Sequence, residues 1–196
     1  MTDEILKSRY EFRSDGKAII DISVDEIGDL FNSFDKKAVF ARRDLDEDFE
    51  DYLIECVREL GKTDFVIQIT IDRDYNQTQE DALRKAIKNQ FTYLYGIEYR
   101  KIVEEGNKVI FLFILGIVIG LVVYTANVPD SQEVETWRRI CSEGAVIAMW
   151  VAFWEAVDSL IFGFRPYNKN RKIYHKIISA ELKIQVGNVE TQNVKN

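Results

Sequence analysis

One stretch limits the folds open to this chain more than any other: KVIFLFILGIVIGLVVYTANVP, residues 108–129, with no charge at any of the 21 positions 109–129. A membrane span needs about 20 mostly apolar residues, because the hydrocarbon layer is roughly 30 Å thick and a helix rises about 1.5 Å per residue. Lys108 and Asp130 bound the run. A buried helix of a soluble protein is the competing reading, and the uncharged length argues against it. The run is therefore expected to span a membrane over residues 108–128.

A second segment, GAVIAMWVAFWEAVDSLIFGF over residues 144–164, has the same length but contains Glu155 and Asp158. Each charge near the middle of a span costs about 2.5–3.5 kcal/mol on insertion scales. The other residues are apolar all round the helix rather than along one face, which favours a span over a helix lying in the interface. Basic flanks set the orientation. Arg100, Lys101 and Lys108 precede the first segment, and Arg165, Lys169, Arg171, Lys172 and Lys176 follow the second. The intervening loop holds only Arg138 and Arg139. The positive-inside rule then predicts a multi-pass protein of the cell membrane with both termini cytoplasmic. The start, MTDEILKSRYEFR, has no apolar run, so no cleaved signal peptide is expected. In that topology Cys56 is cytoplasmic, Cys141 lies near the outer face, and the two do not pair.

The flanking sequence reads as mixed α and β. RYEFR and AIIDISV surround Ser14-Asp15-Gly16-Lys17, a hairpin signal. Ile27, Leu30, Phe31 and Phe34 follow at helical spacing. Leu45, Phe49, Tyr52, Leu53, Cys56, Val57 and Leu60 recur at steps of three and four, with acids at the helix start and Gly61 after its end. FVIQITI (65–71) reads as a strand. A helix from Thr78 with Leu83, Ile87, Phe91 and Leu94 on one face is expected to run on into the first span. A basic helix, RPYNKNRKIYHKIISAE, and a strand, LKIQV (182–186), close the pattern, and the tail after it is expected to fray. The expected fold class is α+β: a small cytosolic α/β-sandwich domain (1–107), a transmembrane hairpin (108–164), and a basic helix and strand (165–196) that return to the N-terminal domain.

With those elements placed, three stretches resemble a broad family of uncharacterised prokaryotic two-span membrane proteins. They are DEIGDLFNSFD with RRDLDEDFEDYLIECVREL, then ALRKAIKNQFTYLYGIEYRK, and WVAFWEAVDSLIFGFRPYNKNRKIYHKI. The resemblance places Trp150, Trp154, Asp158 and Pro166 in the family's tryptophan-rich span, acidic position and proline. The chain departs from it at Glu155, where the family has a basic residue or proline, and at Gly163, where it has an acid. The resemblance implies the two-span topology and no activity.

Several chemistries are excluded. A net charge of −7 does not suit a general nucleic-acid binder. Two cysteines and one histidine cannot supply the usual four N/S ligands of zinc. Asp44, Asp46, Asp48 and Glu55 fall at positions 1, 3, 5 and 12 of an EF-hand loop, but Phe49 stands where that loop needs glycine, so they read as a solvated helix start. His175 has no nucleophile motif beside it, and no phosphate-binding glycine loop occurs. No cofactor, metal or catalytic residue is expected.

What remains lies in the two apolar segments. Gly116 and Gly120 form a G-x-x-x-G, a spacing that lets helix backbones approach and that also arises by chance in membrane helices. Ala145, Ala148, Ala152, Ala156, Ser159 and Gly163 fall on one narrow stripe at about 100° per residue, so both segments are expected to make tight helix contacts, within the hairpin or between subunits. Glu155 and Asp158 share a helix face, with Glu155 near the midpoint of the second span and no basic residue within either span. They either hydrogen-bond in a helix contact or line an ion or proton path. Arg165, Lys169, Arg171 and Lys172 could hold lipid headgroups, although ordinary positive-inside bias accounts for the same cluster. Trp137 and Tyr167 suit an interfacial belt better than Trp150 and Trp154. The expected function is a non-catalytic, membrane-anchored interaction or sensing module, self-associating and in contact with lipid and a possible protein partner. The alternative is an oligomeric cation or proton channel lined by Glu155 and Asp158.

Overall fold

The computed structural model of the chain describes residues 3–32, 43–126 and 135–187. The chain divides into two compact units, Met1–Gly96 with Arg171–Asn196, and Ile97–Asn170.

The first unit is built on a four-stranded sheet, β1 (Glu11–Phe12), β2 (Ala18–Val24), β3 (Phe65–Ile71) and β4 (Glu181–Val186), in that order. β1 and β2 form the hairpin that the Asp-Gly signal announces. Gly16 has φ 82°, a conformation that residues with a Cβ rarely adopt. β2, β3 and β4 run parallel, with Ile20 beside Ile67 and Ile67 beside Leu182. Parallel neighbours need long crossovers, and the chain supplies helices for both. Between β2 and β3 lies α2 (Glu47–Leu60). Between β3 and β4 lie α3 (Gln77–Ala126), α4 (Glu135–Asp158) and α5 (Phe164–Ser179).

Period-two burial gives the sheet one apolar face. Ala18, Ile20 and Ile22 of β2 and Phe65, Ile67, Ile69 and Ile71 of β3 are buried. They share one core with Phe49, Leu53, Val57 and Leu60 of α2, Leu83, Ile87 and Phe91 of α3, and Ile173 and Ile177 of α5. Along the other face, Gln68 donates to Asp21 at 3.2 Å and Gln185 to Thr70 at 3.1 Å. The result is a two-layer α/β sandwich.

Local chemistry sets the ends of α2. The Asp46 carboxylate accepts from the backbone N–H of Asp48 at 3.0 Å and of Phe49 at 3.4 Å. Gly61, at φ 59°, closes the helix. A capping role for Asp46 agrees with a solvated helix start rather than a calcium loop. Ile27–Leu30 form a single 3-10 turn instead of an α-helix, and Phe34 lies outside the described residues. A short helix that the periodicity does not signal, α1 (Asp3–Arg9), precedes β1. Arg9 pairs with Glu59 at 2.8 Å, and the Tyr10 hydroxyl donates to the same carboxylate at 2.7 Å.

One contact between α2 and α3 makes the first unit sensitive to pH. Burial raises the Glu50 carboxyl to about 7, with Asp44, Asp51 and Glu47 adding repulsion, even though Gln90 donates to it at 2.7 Å. A carboxyl raised on folding stabilises the fold below its unfolded value, 4.5 here, and loses that contribution as pH rises through 7. Glu50→Gln keeps the acceptor for Gln90 without the charge. Because Glu50 is only half-buried, the gain above pH 8 is about 1 kcal/mol after solvent screening. Denaturant midpoints of the full chain at pH 4.5 and pH 8 measure it. An equal change at both pH values would contradict the assignment.

The second unit is helical. It holds residues 97–126 of α3, then α4, a π-turn at Ser159–Gly163 and the start of α5. The π-turn has a local cause. Pro166 lacks an N–H, and its ring would clash with the carbonyl of Phe162 four residues back, so the preceding turn widens.

Candidate functional site

The best-defined chemistry in the second unit lies where α3 meets α4. The two helices run antiparallel: Gly116 faces Phe153, Gly120 faces Met149, and Glu105 faces Gly163. A Cβ on Gly116 would stand 3.0 Å from the Phe153 ring, one on Gly120 3.1 Å from the Met149 sulfur, and one on Gly163 2.7 Å from Glu105 Oε1. The two glycines of the G-x-x-x-G are therefore close-approach positions, each filled by a large side chain of α4. Phe113 flanks Phe153, with ring centroids 5.6 Å apart.

On α4, Ala152, Ala156 and Ser159 are buried. Ala148 is exposed. At about 100° per residue it lies some 60° off the line through Ala145, Ala152 and Ala156, and Met149 takes its place in the contact. The residues of α4 that are buried or meet α3 are Met149, Ala152, Phe153, Ala156 and Ser159, with Gly163 in the π-turn beyond them.

The same alignment locates the carboxylates. Asp158 lies level with Ile110–Phe111, and Glu155 level with Phe113–Ile114. At about 1.5 Å per residue they stand roughly 4 Å and 8 Å along the axis from Lys108. Glu155 is near the midpoint of residues 144–164, and its cationic neighbour comes from the residue that bounds the first apolar run. In the structure the Lys108 side chain covers the roughly 8 Å of axial rise to Glu155. Lys108 Nζ is 2.9 Å from Glu155 Oε1 and 3.9 Å from Glu105 Oε1. The pairing carries no sequence signal, because it depends on how the two helices are offset and each segment is read by itself.

A second ionic contact carries no sequence signal. Glu98 is 95% buried, accepts from Lys101 Nζ at 2.9 Å through Oε1, and has no hydrogen-bond partner for Oε2. Lys101 Nζ also lies 5.8 Å from the centre of the Tyr167 ring. Only tertiary packing makes Glu98 distinctive.

The basic residues after α4 separate by environment. Arg165 and Lys169 are exposed, and Arg165 lies over the Phe162 ring at 5.4 Å. Lys172 is exposed, whereas Arg171 stacks on Tyr95 at 5.9 Å in the first unit, with His175 beside the same ring. In the first unit, a groove of about 190 Å³ is lined by Ile67, Ile87, Ile177, Leu182, Arg84 and Lys88. Arg84 is committed to Glu80 at 2.7 Å and to the Leu182 carbonyl, which leaves no set of convergent polar groups there. Cys56 is buried and Cys141 exposed. Among the described residues no group of three His, Cys, Asp or Glu is placed to hold a metal.

Comparison with known proteins gives no match, whether to family models, curated proteins or solved structures.

Proposed function

We propose that the chain is an integral membrane protein whose α3–α4 pair crosses the bilayer twice and anchors the sheet unit, with both termini in the cytoplasm. It acts by interaction or sensing rather than catalysis. One observation carries this reading: among the described residues nothing covers most of the apolar helices. Only 11% of the most apolar window of α3, and 17% of that on the helix through α4 and α5, is buried. A core helix of a soluble protein is mostly buried. Here Ile114, Ile117, Leu121, Ile147, Val151 and Trp154 face outward. An apolar surface of that extent, continuous around two helices, needs lipid or another copy of the chain to cover it. Self-association belongs to the reading for that reason, and the eight-to-two basic asymmetry supports the orientation.

The pairing of Glu155 with Lys108 supports packing over conduction. The carboxylate is matched by a cation at the border of the pair, so it works as a clip between helices. Side-specific labelling of introduced cysteines tests the double crossing: the connection between α3 and α4 reacts from outside, and the sheet unit only from the cytoplasm. Both reacting from the same side would remove the reading. A proton or cation current in reconstituted vesicles would instead favour a path at Glu155 and Asp158.

A further inference from the structure

We propose that Arg165 and Lys169 form a binding surface for the headgroup of an anionic phospholipid. The proposal rests on the membrane-spanning reading above. The two residues are four apart on α5, hence neighbours on one helix face. Two like charges so placed repel each other. Among the described residues neither has a carboxylate within ion-pair distance, and both are exposed. Of the other cations, Lys101 is paired with Glu98 and Lys108 with Glu155, and Arg171 lies over Tyr95, whereas Arg100 and Lys172 are exposed like Arg165 and Lys169. At the opposite end of the helix pair Arg139 is paired with Glu143 at 3.3 Å. Exposed acids stand nearby, Asp158 seven residues before Arg165 and Glu104 level with it on α3, and neither pairs with Arg165 or Lys169.

Direction separates these two residues from a general excess of positive charge. Helical side chains tilt toward the N-terminus of their helix. The N-terminus of α5 leads back to the apolar segment, so Arg165 and Lys169 lean toward it, and the guanidinium of Arg165 rests over Phe162. By the helix alignment, Arg165 begins about 7 Å and Lys169 about 12 Å beyond Lys108. Their side chains reach back about 6 Å, into the layer where lipid phosphates lie. Arg100 is exposed at the level of Lys169, but it sits on α3, whose N-terminus points the other way. Positive-inside bias treats these three residues alike, whereas the geometry assigns headgroup binding to two of them.

The test uses the full chain with Trp137→Phe and Trp150→Phe. Trp154, 72% exposed on the same helix, is then the reporter. The protein is reconstituted in mixtures of acyl-brominated phosphatidylglycerol or brominated phosphatidylcholine with their unbrominated counterparts, and the quenching of Trp154 gives the relative affinity of the two lipids. One cation beside an anionic headgroup is worth about a factor of five. With two cations at one headgroup, the expected result is a preference for phosphatidylglycerol between about fivefold and thirtyfold at low salt. Arg165→Gln with Lys169→Gln abolishes it, and Arg100→Gln leaves it in place. A ratio of one in the unsubstituted background, or a preference that survives the double substitution, overturns the proposal. Absence of quenching by either lipid overturns the membrane reading itself and is a distinct outcome.

Discussion

Phe91→Ala destabilises the sheet unit by about 3–5 kcal/mol, the cost of truncating a fully buried aromatic side chain. Phe91 has no exposed surface, and its ring lies 6.1 Å from that of Tyr174, where α3 meets α5 on the apolar face of the sheet. Domains are stable by only about 5–15 kcal/mol, so this one truncation removes a large part of the margin. Tyr93, two residues away and 61% exposed, is the control. Tyr93→Ala changes stability by less than about 0.5 kcal/mol, as surface substitutions do. Denaturant titration of the full chain in detergent, followed by circular dichroism, measures both. A loss below about 1 kcal/mol for Phe91→Ala would mean that α3 does not seal this core.

Gly116→Leu separates the α3–α4 pair. The substituted side chain has no room, because the Phe153 ring lies 3.0 Å from the position of its Cβ and is itself flanked by Phe113. Overpacking a filled contact costs about 1–3 kcal/mol. Phe153→Ala in the same chain opens the space and recovers a substantial part of the loss, which a general effect of leucine in α3 would not allow. Gly96, with nothing within 4 Å of a Cβ, is the internal comparison. Gly96→Ala is neutral or stabilises by up to about 1 kcal/mol, because alanine is the better helix former. Equal destabilisation by Gly116→Leu with and without Phe153→Ala would show that the two side chains do not meet.

Much of the sheet unit was legible in the sequence because its signals are local. The alternation in AIIDISV and FVIQITI, the three-four steps from Phe49 to Leu60, and the Asp-Gly turn each depend on a few neighbouring residues. The parallel pairing of β2, β3 and β4 is not local. It follows from both crossovers laying their helices on one face of the sheet. α1 is too short for periodicity to register, and it is held by Arg9 and Tyr10 on Glu59, a residue some 50 positions away. The connection at residues 127–134 and the tail at 188–196 lie outside the described residues.

The candidate site divides along the same line. Gly116 and Gly120 announce close approach by their spacing, and the structure supplies the partners, Phe153 and Met149. Ala148 obeys the same spacing rule and is exposed beside the α3–α4 contact, because a stripe drawn at steps of three and four is wider than the contact of one helix pair. The pairing of Glu155 with Lys108, and the burial of Glu98, depend on the offset between two helices, which no single segment encodes.

The central claim, that α3 and α4 each cross a membrane once, is tested most directly by cysteine accessibility in intact cells. In a Cys56→Ala, Cys141→Ala background, single cysteines replace Lys62, Ser131 and Lys172. Lys62 is an exposed residue of the sheet unit before the first crossing, and Lys172 an exposed residue of α5 after the second. A membrane-impermeant maleimide is predicted to label the cysteine at position 131 in intact cells, and those at positions 62 and 172 only after permeabilisation. Labelling of position 172 together with position 131 would mean that α4 does not cross. Equal labelling of all three positions before permeabilisation, or of none, would contradict the two-span hairpin altogether.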